Sequence, residues 1–140
     1  MKTLFDSSAF AKRYVDEDGS QEVDEICQAT SILAVSVLCV PEIVSALNRR
    51  VREKRLSATE YIAAKSRLSA DVADAIVVNL TPPVIARAVF LLETNVLRAM
   101  DALHVASALE WGAELFASCD DRQIKAAKRV GLRTRRIGIG

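Results

Sequence analysis

Met1-Lys2-Thr3-Leu4-Phe5-Asp6-Ser7-Ser8-Ala9-Phe10 opens the chain and carries the first clue to its architecture. Residues 1–5 lean apolar and read as a short strand. Asp6-Ser7-Ser8 breaks that pattern, and residues 9–14 take up a helical one. A strand that feeds straight into a helix leaves its last residue at the carboxyl edge of a sheet, where ligands of open α/β folds gather. Asp6 is therefore the first candidate functional residue. Asp and Ser also favour helix N-caps, so a purely capping role for Asp6 or Ser7 is the competing reading of this segment.

The same alternation continues outward. An acidic turn over residues 16–20 is followed by a helix that Ser20 is placed to cap, with Val23, Ile26 and Cys27 at helical spacing. Residues 32–37 form a nearly all-apolar strand, of the kind found in parallel sheets covered on both faces. The apolar run continues to residue 40, which puts Cys39 in a buried strand. Pro41-Glu42 then opens an amphipathic helix with Ile43, Val44, Leu47 and Val51 on one face and arginines on the other. A helix starting at Ser57 or Thr59 precedes a third strand over residues 75–80. Thr81-Pro82-Pro83 opens a helix through Leu92, followed by a loop at Glu93-Thr94-Asn95.

The remaining elements are a helix over residues 98–111 closed by Gly112, a strand over 114–118, a helix over 120–130 and a last strand over 134–139. Strands alternating with helices predict an α/β fold, a three-layer α/β/α sandwich with a mostly parallel central sheet. A length of 140 residues fits a single domain, expected to span 1–140.

Composition narrows the function. Hydrophobic residues make up 51% and charged residues 26%, the balance of a soluble globular protein. No apolar run reaches the roughly 18 residues that span a bilayer, and the start lacks a signal-peptide layout. The expectation is a cytoplasmic protein with no membrane partner. Cys27, Cys39 and Cys119 are odd in number and widely spaced, which argues against a disulfide framework and against zinc. The net charge of +1 does not announce a nucleic-acid binder, but residues 122–140 hold seven Lys or Arg and no acid. A second basic run is Asn48-Arg49-Arg50-Val51-Arg52-Glu53-Lys54-Arg55. Either run taken alone reads as a solvated face.

Three acids stand just past strands: Asp6, Glu42 and Asp120. In a parallel sheet those positions share one edge. A fourth, Asp101, lies in a helix that is apolar on nearly every face, where a charge must be paired or bound to a metal. Carboxylates that converge without cations repel one another and force pKa values up. Hard divalent cations such as Mg²⁺ relieve that repulsion and can activate water against a phosphodiester. The chain has no phosphate-binding Gly-x-x-x-x-Gly-Lys loop. Metal-assisted phosphodiester hydrolysis is the chemistry left.

The ordered set Asp6-Ser7-Ser8-Ala9, Pro41-Glu42, Asp101-Ala102-Leu103-His104-Val105-Ala106 and Ser118-Cys119-Asp120 resembles the PIN-domain nucleases, in particular the VapC-type toxins of bacterial toxin–antitoxin pairs. The resemblance covers essentially the whole chain. It implies an acidic Mg²⁺ (or Mn²⁺) pocket made of Asp6, Glu42, Asp101 and Asp120, with Ser8 and Ser118 as supporting hydroxyls. The family often has Thr where Ser118 stands, a change that keeps the hydroxyl. Asp121 leaves the last ligand ambiguous by spacing; the Ser-x-Asp register favours Asp120 and makes Asp121 a helix cap. His104, one turn past Asp101, lies within reach of it and otherwise reads as a satisfied core residue rather than a base.

The resemblance further implies an endoribonuclease that acts on RNA, a cognate antitoxin and a homodimer. Phe10, Tyr14, Val23 and Ile26 could serve either protein contact or pack in the core. Arg49, Arg50, Arg52, Arg122 and Lys125 are candidate RNA-backbone contacts. Rival readings are a PIN nuclease of RNA processing or DNA cleavage, a PIN scaffold without activity, and a Mg²⁺-binding receiver module. The receiver reading wants an acidic pair after the first strand, where this chain has Asp-Ser-Ser.

Overall fold

The computed structural model describes residues 1–138. Five strands form one parallel sheet in the order β3-β2-β1-β4-β5. They are β1 (Lys2–Phe5), β2 (Ile32–Ser36), β3 (Ile76–Val78), β4 (Leu115–Ser118) and β5 (Arg133–Arg136). The helices are α1 (Ser7–Phe10), α2 (Ser20–Ala29), α3 (Cys39–Arg52), α4 (Ala58–Ala73), α5 (Pro82–Thr94), α6 (Ala99–Trp111) and α7 (Asp121–Arg129), with a short 3₁₀ turn at Ala11–Arg13.

Strand side chains point alternately to the two faces, and the register sorts them into two cores. Phe5 lies opposite Val35 and Ala117, and all three join a core with Phe10, Val23, Ile43, Leu47 and Leu68 from α1 to α4. Leu4, Ala34 and Phe116 face the other way, onto Val84, Leu91, Val105 and Ile124 from α5 to α7. The result is an α/β/α sandwich with a sheet covered on both sides. The chain builds outward from β1 to β2 and β3, then crosses back to place β4 on the other side of β1. The carboxyl ends of β1 and β4 therefore mark the topological switch point, the crevice where such sheets bind ligands.

Several boundaries differ from the sequence reading for identifiable reasons. The apolar run over residues 32–40 is not one strand: β2 ends at Ser36, whose hydroxyl accepts the Leu38 N–H, and Cys39 begins α3. Cys39 is buried in a helix rather than a strand, and burial pushes its thiol up to about 12. Ser20 does not cap α2. Gly19 is the N-cap, at φ 91°, while the Ser20 hydroxyl donates to the Val15 carbonyl. Glu93 and Thr94 extend α5 instead of forming a loop. Strand β3 is shorter than expected, and β5 covers Arg133–Arg136, with Ile139 of the expected strand outside the described residues. Phe10, Tyr14, Val23 and Ile26 are all buried, so they build the core and offer no surface to a partner.

Gly19 ties the acidic turn to the end of the sheet. A Cβ there would come 2.9 Å from the Ile137 side chain, and its φ lies in the left-handed region that L residues avoid. Gly19→Ala should destabilise the fold by about 1–2 kcal/mol, read as a lowered midpoint in urea unfolding. An unchanged midpoint would mean that this turn relaxes freely.

Candidate functional site

Asp6 follows β1, and its backbone N–H donates to the Ala117 carbonyl of β4 at 3.0 Å, which seats it at the switch point. Its side chain is 1% exposed. Oδ1 accepts the Ala9 N–H at 2.9 Å and so caps α1. The Ser8 hydroxyl lies 2.8 Å from both carboxylate oxygens, and the Ser118 hydroxyl donates to Oδ2 at 2.8 Å. Ser118 in turn accepts the Asp120 N–H at 2.9 Å, and Ser8 accepts the Cys119 N–H at 3.2 Å. Capping and site-building are therefore both true of Asp6. Burial pushes its pKa up; the His104 charge, the Ala9 N–H and the Ser8 and Ser118 hydroxyls draw it down without restoring the ordinary value of 3.8.

Glu42 lies in the first turn of α3, on the same edge. Its Oε1 accepts the Ser7 hydroxyl at 2.7 Å and meets His104 Nε2 at 2.5 Å. Burial alone would raise its pKa, but the bonds from His104 and Ser7, with the His104 charge, hold it below the usual carboxylate value. His104, 2% exposed on α6, also lies 3.2 Å from the Ser7 hydroxyl. It is a buried, hydrogen-bonded core residue, as the sequence reading favoured, but its partners are Glu42 and Ser7 rather than Asp101, and its buried Nδ1 has no partner among the described residues. An apolar helix signalled the burial. Only the tertiary meeting of α6 with α1 and α3 at the carboxyl end of the sheet, from opposite layers, supplies the partners.

Asp101, one turn earlier on α6, accepts the Gln123 amide at 3.0 Å, while Arg98 stands 3.6 Å from its other oxygen. Gln123 is buried on α7, and its carbonyl oxygen has no partner among the described residues. Asp120 is the N-cap of α7, with Oδ1 accepting the Arg122 N–H at 2.9 Å. Asp121, expected at the cap, is exposed and pairs with Arg136 at 2.8 Å, which pulls its pKa down. Sequence reasoning weighed Ser7 only as a helix cap, a role that Asp6 takes, and passed over Gln123. A polar side chain on the buried stripe Gln123, Ile124, Ala126 and Ala127 was the available signal for the second.

The elements carrying the four acids are thus linked by short polar bridges. Ser118 joins Asp6 to Asp120, Ser7 and His104 join α1 and α6 to Glu42, and Gln123 joins α7 to Asp101. As the side chains stand, no three His, Cys, Asp or Glu groups among the described residues are placed to hold one metal ion. The donor chemistry nevertheless suits a hard divalent cation. The acids offer only carboxylate oxygens, Glu42 keeps Oε2 unbonded, and Asp6 is buried with no salt bridge among the described residues.

The basic residues separate into two groups. Arg49, Arg50 and Arg52 lie in the last turn of α3, about 10–15 Å along the helix axis from Glu42. Arg50 is held by Glu17 at 2.7 Å, so the structure does not bring this group to the acids. Arg122 and Lys125 are exposed on α7, which starts beside Asp120.

Sheet order, acid placement and helix layers define a PIN-like sandwich, and residues 3–129 match the PIN domain model. The chain belongs to the PIN domain family, which sets aside the receiver reading. No curated protein matches it by sequence. Among solved structures it is similar to PAE2754 from Pyrobaculum aerophilum, at 19% identity, covering 96% of this chain and 90% of that one, with a TM-score of 0.71. It is also similar to VapC20 of Mycobacterium tuberculosis, a sarcin-ricin loop cleaving toxin, at 18% identity over 96% and 98%, with a TM-score of 0.69. A toxin–antitoxin complex from Klebsiella pneumoniae matches at 15% identity over 87% and 89%, with a TM-score of 0.67. At these identities the likeness establishes the fold. No helix among the described residues is long and apolar enough to cross a membrane.

Because burial raises the Asp6 pKa, the folded, metal-free chain binds a proton that the unfolded chain has released above its ordinary value of 3.8. Stability should therefore fall as pH rises from there through the folded-state pKa, and remain lower above it. Asp6→Asn, which removes the buried charge, should be more stable than the parent at neutral pH in EDTA. That gap should shrink as pH approaches 4. A gap that is absent, or that widens in acid, would mean that Asp6 is better solvated than its burial indicates.

Proposed function

We propose that this chain is a metal-dependent endoribonuclease and the toxin member of a toxin–antitoxin pair. The observation that carries the reading is Asp6: a buried carboxylate at the sheet's switch point, ringed by Ser8 and Ser118, with no salt-bridge partner among the described residues. Asp6, Glu42, Asp101 and Asp120 would together hold Mg²⁺ or Mn²⁺. Bound there, such an ion would neutralise the carboxylates and activate water for attack on a phosphodiester.

The chain's own residues hold the geometry. Ser8 and Ser118 fix both oxygens of Asp6. Ser7 and His104 occupy Oε1 of Glu42 and leave Oε2 for the site. Gln123 orients Asp101, and the capping bond to the Arg122 N–H orients Asp120. A carboxylate at this edge is the natural acceptor for the proton that water loses. RNA is the substrate that the family resemblance implies, and the exposed cations Arg122 and Lys125 on α7, which starts at Asp120, suit its phosphate backbone. The toxin–antitoxin complex from Klebsiella pneumoniae, which shares the fold, supports a cognate antitoxin as partner; an antitoxin that covers the groove and a homodimer as the working assembly are what the family resemblance implies. A single nuclease domain spanning residues 1–140 completes the reading.

Purified protein should cleave RNA with Mg²⁺ or Mn²⁺ and stop when EDTA is added. Asp6→Ala and Asp101→Ala should each lower the rate by about a hundredfold or more, near 3 kcal/mol of lost transition-state stabilisation. Cleavage that survives both substitutions would remove the acid site from the mechanism. A second substitution separates positioning from catalysis. His104→Ala should weaken Mn²⁺ binding by about tenfold, while His104→Gln, which keeps a donor near Glu42, should recover part of it. Equal affinity in all three proteins would leave His104 a packing residue only.

A further inference from the structure

The exposed face of α7 carries Arg122, Lys125 and Arg129 at spacings of three and four residues, which places them in one row. They form one wall of a cleft of about 600 Å³. The end of α5 and the turn after it form the other wall, through Glu93, Thr94, Asn95 and Val96. Arg129 is fixed in place, its guanidinium donating to the Thr94 carbonyl at 3.1 Å and to Asn95 Oδ1 at 3.2 Å. Arg122 and Lys125 make no side-chain hydrogen bond or ion pair with any described residue. Asp121, the one acid on α7, is engaged by Arg136, so Glu93 alone opposes three cations in the cleft.

Position ties this cleft to the acids. The inner face of α7 holds Asp101 through Gln123, and the helix begins at the Asp120 cap. A strand bound at the acid edge and continuing along α7 would meet the row at once. From Arg122 to Arg129 the helix rises about 10 Å, which with the reach of the three long side chains suits three successive phosphates of one strand. The far wall offers Val96, 77% exposed, as an apolar surface for a base.

We propose that the α7 cleft is an RNA-backbone subsite that holds about three phosphates of the substrate strand beyond the one cut, and that the α3 arginines take no part in it. The identity of the ligand rests on the ribonuclease reading; the row of cations and its place beside the acids do not. A strand held this way is gripped through its phosphates, so the subsite contributes affinity and direction rather than sequence choice.

The test is binding of a fluorescent single-stranded oligoribonucleotide to the full chain in EDTA, as a function of salt. The variants are Arg122→Gln with Lys125→Gln, and, as a control, Arg49→Gln with Arg52→Gln. All four are side chains outside the core, whose replacement leaves it intact. Each lost phosphate contact flattens the log–log salt slope by about 0.7 for a single strand, so the α7 pair should lower its magnitude by about 1.4 and the control pair should not. An unchanged slope in the α7 pair, or an equal change in the control, overturns the proposal. So does an α7 pair that loses capture of the cognate antitoxin while binding RNA normally. If the parent protein binds RNA through α7 yet cuts none with Mn²⁺, the cleft stands and the ribonuclease reading falls. If the parent cuts RNA but binds it independently of α7, the ribonuclease reading stands and the cleft falls. A parent that binds no RNA removes both.

Discussion

A carboxylate deprived of water must be compensated by whatever surrounds it, and at Asp6 the surroundings are almost entirely neutral donors. Ser8, Ser118 and the Ala9 N–H share its two oxygens, yet burial still prevails and keeps the pKa above the ordinary carboxylate value. Two structural facts follow from that constraint. Helix α1 must start where it does, because Asp6 is its cap. The end of β4 must lie within a hydroxyl's reach, because Ser118 supplies one of the donors. The central strand pair and the first helix are thus fixed around a carboxylate whose charged form burial disfavours.

Glu42 balances differently. Its contacts to His104 and Ser7 outweigh burial and favour the charged form, so one acid of the edge is stabilised as an anion while its neighbour is not. Pairs of carboxylates whose environments push their pKa values apart are a recurring feature of sites that handle protons. Here the division follows from the deeper burial of Asp6 and from the contacts that Glu42 makes with Ser7 and with one buried histidine from the opposite layer of the sandwich. His104 thereby couples α6 to α1 and α3 across the end of the sheet.

The layered α/β plan and most strand positions were legible in the sequence because apolar runs and helical periodicity survive in nearly every element, the Arg-Thr-Arg-Arg of β5 being the exception. The acids were legible because three of them immediately follow strands. What escaped was whatever depends on a partner distant in sequence. Ser7 and Glu42 are 35 residues apart, and Glu42 and His104 are 62 apart, so no local pattern encodes their contacts. The split of the apolar run at Ser36 escaped for a different reason. Val37, Leu38, Cys39 and Val40 suit a buried strand or a buried helix equally by hydrophobicity, and the chain turns out of the strand where the Leu38 N–H donates to the Ser36 hydroxyl. Asp120 and Asp121 were exchangeable by spacing, and Arg136 on β5 resolved the pair by taking Asp121. The two basic runs looked alike in composition, and only the fold set one beside the acids and the other well along α3.

The central claim is that Asp6 anchors a divalent cation at the switch point. Calorimetric titration of Mn²⁺ into the parent protein and into Asp6→Asn tests it without reference to any substrate. The account predicts saturable binding to the parent with release of protons, and a loss of affinity of about tenfold or more in the variant. Equal binding by the two proteins, or no binding by the parent, would contradict it.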